Sequence, residues 1–129
     1  TDDTQLGRGV VCFDYDNDGD IDVFVANSEQ PPLLYRNELA GTHSLDVKLS
    51  AKGKNSEGIG AVVQATANGI TQTRLIRAGS NYASQDPAIA HFGLARTERV
   101  EKLRVVWLDK TEQTFTDVAA DQRLVVVHP

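Results

Sequence analysis

The chain has 129 residues, a formal charge of −5 and 24% charged side chains, which suits one good core with a small appendage. Neither a basic patch nor aromatic–basic interleaving is present, which excludes nucleic acid and anionic membrane surfaces as partners. No apolar run reaches the length of a membrane span, and the lone Cys12 forbids an intrachain disulfide.

The first predicted element is the β-rich run Gly9-Val10-Val11-Cys12-Phe13. Cys12 lies between Val11 and Phe13 and is expected as a buried, unreactive thiol. The run leads into Asp14-Tyr15-Asp16-Asn17-Asp18-Gly19-Asp20-Ile21-Asp22, where five aspartates take every second position of a nine-residue loop. Converging at about 6 Å, each like-charged pair costs about 0.5–1 kcal/mol even in water. A cation at the centre removes that cost, and five or more hard oxygen ligands on a flexible turn select Ca²⁺.

An EF-hand needs a bidentate Glu at the twelfth loop position and helices on both sides. Counted from Asp14, that position is Val25, and the segment after the loop, Ile21-Asp22-Val23-Phe24-Val25-Ala26, is again β-rich. The loop therefore reads as a strand-to-strand calcium turn. The expected ligands are the side chains of Asp14, Asp16, Asp18 and Asp22 with the backbone carbonyl of Asp20. Gly19 permits the sharp bend through positive φ.

The run from Gly9 to Asn27, continued by Leu34-Tyr35-Arg36-Asn37, resembles an FG-GAP or VCBS repeat, the calcium-loop blade motif of integrin-like β-propellers. In that family the aspartates at loop positions one, three, five and nine are the ligands, which implies Asp14, Asp16, Asp18 and Asp22 here. A propeller needs at least four blades. One repeat therefore implies the C-terminal part of a larger propeller-containing protein. The blade residues Val10, Phe13, Val23 and Val25 are expected to pack on the rest of the chain or on a second copy of it, making a homo-oligomer.

From about His43 the pattern changes to short β-rich runs between turns. Strands are expected near 44–50, 61–67, 71–78, 88–92, 100–107, 112–116 and 123–127, with a short helical turn near Gln85–Ala88. Asn68-Gly69 is the best hairpin signal. This spacing implies a β-sandwich or jelly-roll. The strings Gly58-Ile59-Gly60-Ala61-Val62-Val63, Gln72-Thr73-Arg74, Arg77 through Pro87, His91-Phe92-Gly93-Leu94 and Val105-Val106-Trp107 follow an order that resembles the ASPIC/UnbV domain. The chain departs from that pattern at Asn81 and Ala95, where the family commonly has Gly, and at Leu108-Asp109-Lys110, where a Pro-Ser-Gly turn is common.

The expected fold is thus all-β. A β-sandwich or jelly-roll-like domain fills 43–129, and a β-hairpin blade fragment with the calcium loop fills 1–42.

Other constellations read as structural. His43, His91 and His128 lie on separate elements without zinc-ligand spacing. Ser80, Asp86 and His91 lack a nucleophile-elbow motif. Trp107 is expected in the core, and Gln72, Arg74 and Arg77 on a solvated sheet face. The polar stretch Ala78–Asp86, with Tyr82, is a candidate binding loop. The functional expectation is a non-catalytic, secreted or periplasmic Ca²⁺-binding module for protein or matrix contacts. The alternatives are a glycan-binding module, with Trp107 or Tyr82 as platform, and a calcium-assisted hydrolase.

Overall fold

A computed structural model describes residues 6–129. The expected first segment begins in residues 1–5, which lie outside the described residues. The described chain holds ten strands and no helix. It divides into two compact units, one running to Leu39 and taking in Ala78–Pro87, the other made of Ala40–Arg77 and Ala88–Pro129.

The smaller unit is an antiparallel sheet in the order β1-β2-β3, with β1 Gly7–Phe13, β2 Asp22–Asn27 and β3 Leu33–Tyr35. The third strand extends the expected hairpin. Leu33, Leu34 and Tyr35 follow Pro31-Pro32 and pair with Val25, Phe24 and Val23.

The free edge of β1 is closed by side chains of 78–87. The Ser84 hydroxyl donates to the Val10 carbonyl at 2.6 Å and accepts the Val10 amide at 3.1 Å. Asp86 Oδ1 accepts the Cys12 amide at 2.9 Å, and Asn81 Nδ2 donates to the Val10 carbonyl at 2.9 Å. An antiparallel neighbour would exchange the same pair of bonds with Val10. Ser84 and Asp86, two residues apart, thus stand in for a fourth strand. The helical turn expected near Gln85–Ala88 is absent because these side chains bind backbone instead. Cys12 is exposed, not buried, and its strand belongs to a three-stranded sheet with no second described sheet in the same unit to cover it. Partial desolvation of the thiol, and then the Asp86 carboxylate, raise its pKa, so it stays protonated and unreactive.

The larger unit has two sheets. One is β10-β4-β7, built from β4 His43–Ser50, β7 Ile89–Ala95 and β10 Gln122–Val127. The other is β6-β5-β8-β9, built from β5 Val62–Ala67, β6 Ile70–Leu75, β8 Arg99–Val106 and β9 Glu112–Ala119. Alternation places Leu45, Val47 and Leu49 of β4 and Ala90, Phe92 and Leu94 of β7 on one inner face. Val63 and Ala65 of β5 and Val100, Leu103 and Val105 of β8 meet them in a single buried cluster. Trp107 belongs to this core, 3% exposed, with its indole N–H donating to Gln113 at 2.7 Å.

The Asn68-Gly69 hairpin forms as expected, with φ of 49° and 72°, the geometry of a type I′ turn. Ala95 and Lys110 take φ of 52° and 72°. Those are positions where the resembled family uses a glycine or a glycine-containing turn, so both departures are accommodated by strained non-glycine residues. Gln72 and Arg74 do not merely face solvent. They donate to the β7 carbonyls of Gly93 and His91 at 2.7 and 3.0 Å and so bridge the two sheets.

Candidate metal centre

The acidic loop joins β1 to β2, so both ends are held by the β1–β2 ladder, whose last pair is Phe13 opposite Asp22. The bend is made by Asn17 and Gly19 with φ of 61° and 95°. Asp14 accepts the amides of Asp18 and Gly19 on its two oxygens, at 3.2 and 3.0 Å. Asp18 accepts the amide of Asp20 at 3.0 Å. Asp22 is fully buried and ties the base of the loop, accepting the Tyr15 amide at 2.9 Å and the Asn37 amide at 2.8 Å.

Of the five sequence-predicted ligands, the structure brings Asp14, Asp16 and Asp18 together, each offering a carboxylate oxygen within 4.8 Å of the others. Oxygens sharing one Ca²⁺ at 2.3–2.6 Å stand at most about 5 Å apart, so this spacing fits the ion. Asp22 lies outside that trio with each oxygen on a backbone amide, and Asp20 joins the loop through its own amide. A carboxylate oxygen that accepts one amide keeps a second lone pair, so Asp22 retains ligating capacity.

Asp16 carries the most informative atom. Its Oδ2 pairs with Arg36 Nε at 2.7 Å, while its Oδ1 is buried without a hydrogen-bond partner among the described residues. A buried carboxylate oxygen left unpaired is costly. An all-oxygen donor set with such an atom fits a hard cation, with Asp14, Asp16 and Asp18 as the residues to hold it and Asp22 as its support. Sequence reasoning named the string Leu34-Tyr35-Arg36-Asn37 but gave no role to Arg36 or to the Asn37 amide.

The remaining candidates disperse. Each histidine is paired with an aspartate: His43 with Asp121 at 2.6 Å, His91 with Asp46 at 2.9 Å and His128 with Asp109 at 3.0 Å. The Ser80 hydroxyl accepts the Asp86 amide, and His91 Nδ1 is on Asp46, so neither stands in a nucleophile–base pair. In the expected binding loop, Ser80, Asn81, Ser84, Gln85 and Asp86 all spend polar groups within the smaller unit, while the Tyr82 side chain stands out into solvent, 90% exposed.

The family described as ASPIC and UnbV matches residues 51–129, more than half of the chain. The chain belongs to the ASPIC/UnbV family. It is also similar to cartilage acidic protein 1 of Mus musculus, 32% identical over 108 residues that make up 80% of this chain and 16% of that protein. The ASPIC/UnbV match thus includes the 78–87 segment that closes β1, while the acidic loop lies upstream of the match. No described helix is long and apolar enough to cross a membrane.

Proposed function

We propose that this ASPIC/UnbV chain is a non-catalytic, calcium-stabilised module of secreted or periplasmic type, used for contacts with a protein or matrix partner. Residues 1–42 are read as an FG-GAP/VCBS repeat fragment and 43–129 as the ASPIC/UnbV domain. The convergence of Asp14, Asp16 and Asp18, with one buried Asp16 oxygen left without a partner, carries the calcium part. Within the loop, Asp14, Asp16 and Asp18 would hold the ion, Asp22 would brace the base, and Asp20 would contribute its carbonyl. The bound ion would supply positive charge among the three converging carboxylates of an acidic loop. The reading of an interaction module is supported by the relative's name, which places that protein in cartilage and calls it acidic.

Extracellular Ca²⁺ is millimolar, which suits the weaker calcium modules with Kd of about 10⁻⁴–10⁻³ M. With a Kd of about 0.1 mM, 1 mM Ca²⁺ adds about 1.4 kcal/mol to stability. Thermal melts in 2 mM CaCl₂, in excess EDTA and in MgCl₂ test this. A rise specific to Ca²⁺, abolished by Asp18→Ala, is expected. Identical curves in all three would remove the ion from the proposal. A glycan platform at Trp107 loses its footing, since that ring is buried in the core.

A further inference from the structure

We propose that Arg36 is a positioning residue of the acidic loop, fixing Asp16 so that one carboxylate oxygen faces the aspartate cluster and the other does not. The inference rests on the calcium reading above. Asp14, Asp18 and Asp22 are each oriented by backbone amides. Among the described contacts Asp16 is the exception: its orientation comes from a side chain, Arg36 Nε on Oδ2 at 2.7 Å. The partner oxygen, Oδ1, is the buried one without a hydrogen bond. Arg36 is itself placed by the chain around it. The next amide, Asn37, is anchored on Asp22 at 2.8 Å, and Glu38 lies 3.6 Å from Arg36 Nη1. The guanidinium also comes within 3.8 Å of Asp18 Oδ2, so it spans the rim of the trio. A planar, permanently charged fork suits this task, because it holds a carboxylate in one orientation where an ammonium would not.

The positioning role and a plain charge effect predict opposite signs. A cation beside a metal site repels the metal, so deleting it would tighten binding if charge alone mattered. Losing the group that orients a ligand weakens binding, typically by about 10–100-fold. The test uses the full chain as wild type, Arg36→Ala and Arg36→Lys. Ca²⁺ affinity is measured by titration calorimetry. Metal-bound waters are counted from Eu³⁺ luminescence lifetimes in H₂O and D₂O.

The expected result is Ca²⁺ binding about tenfold weaker in Arg36→Ala, with Arg36→Lys between it and wild type. Eu³⁺ should carry more bound water in both variants, as Asp16 leaves its fixed place. Unchanged or tighter Ca²⁺ binding with an unchanged water count overturns the proposal while the calcium reading stands. A wild-type chain that binds no Ca²⁺, even well above the millimolar range of the weakest calcium modules, ends both. If Arg36→Ala does not fold, Arg36→Lys decides alone. It keeps the charge, so a several-fold loss supports positioning and unaltered binding overturns it.

Discussion

The two units of this chain are held by different forces. The larger buries sixteen hydrophobic side chains in one cluster, so its stability is spread over many apolar contacts and no single polar group decides it. Among its described residues the smaller has one fully buried side chain, and it is the carboxylate of Asp22. Its order comes from the β ladder, the side chains of 78–87 on β1, and aspartates on backbone amides. A unit built this way depends on a few bonds, each replaceable by water when it opens, and it belongs to the low-stability end of the molecule. The proposed cation, drawing the loop together, would therefore matter most where the apolar core is thinnest.

Two substitutions set that comparison against measurement. Phe92→Ala removes the largest fully buried side chain of the larger unit and should cost about 3–5 kcal/mol. A lower urea midpoint with unchanged slope is the expected readout. Asp22→Ala strips the carboxylate acceptor from the part-buried Tyr15 and Asn37 amides, which should cost the smaller unit about 1–3 kcal/mol, since water can reach both donors in part. Amide exchange at those two residues should accelerate while exchange at Leu103 stays slow. Equal acceleration at Leu103 would mean that the units open as one, and the contrast drawn above would fall.

The parts of the fold that were legible in the sequence are those with a period. Leu45-Asp46-Val47-Lys48-Leu49 alternates and is β4. Asn68-Gly69 carries the only chemistry that a two-residue turn with two positive φ angles accepts cheaply. The five-aspartate spacing pointed to a loop that does bring three carboxylates together. What had no period was missed or misread. β3 is three residues after two prolines, too short to alternate. Residues 78–87 look like a polar surface loop because bonds from side chain to backbone leave no trace in hydropathy, yet they complete a sheet more than 70 residues upstream. Cys12 sits in an apolar run, but burial needs a second layer over that face, which local sequence does not encode. The parallel pairing of β10 with β4 is equally invisible locally, since either orientation accepts the same alternation.

The smallest expected effect lies on the outer face of the larger unit, where Asp46 on β4 accepts from His91 on β7 and Arg123 on β10, both at 2.9 Å. Burial pushes this carboxyl up, but the hydrogen bonds and charges of His91 and Arg123 outweigh it and hold its pKa below the usual value. The unfolded chain then binds a proton at higher pH than the folded one. The stabilisation is complete above the ordinary aspartate pKa of about 3.9 and is lost as pH falls through the folded value. Asp109, held by Thr111 and His128, Asp117, held by Arg99, and Asp121, held by His43 and Ser44, are shifted in the same direction, so the acid limb of the wild type alone does not isolate Asp46. Asp46→Asn does, because the other three aspartates are common to both proteins. At pH 6 the variant should be less stable by about 1 kcal/mol, since Arg123 is partly solvated and the pair is screened. Below about pH 4 the gap should close, as the wild-type carboxyl takes up the proton that the amide mimics. A gap that stays constant down to pH 2.5 would mean that Asp46 contributes through shape rather than charge, and the three-strand ion cluster would then add nothing to what the apolar core already supplies.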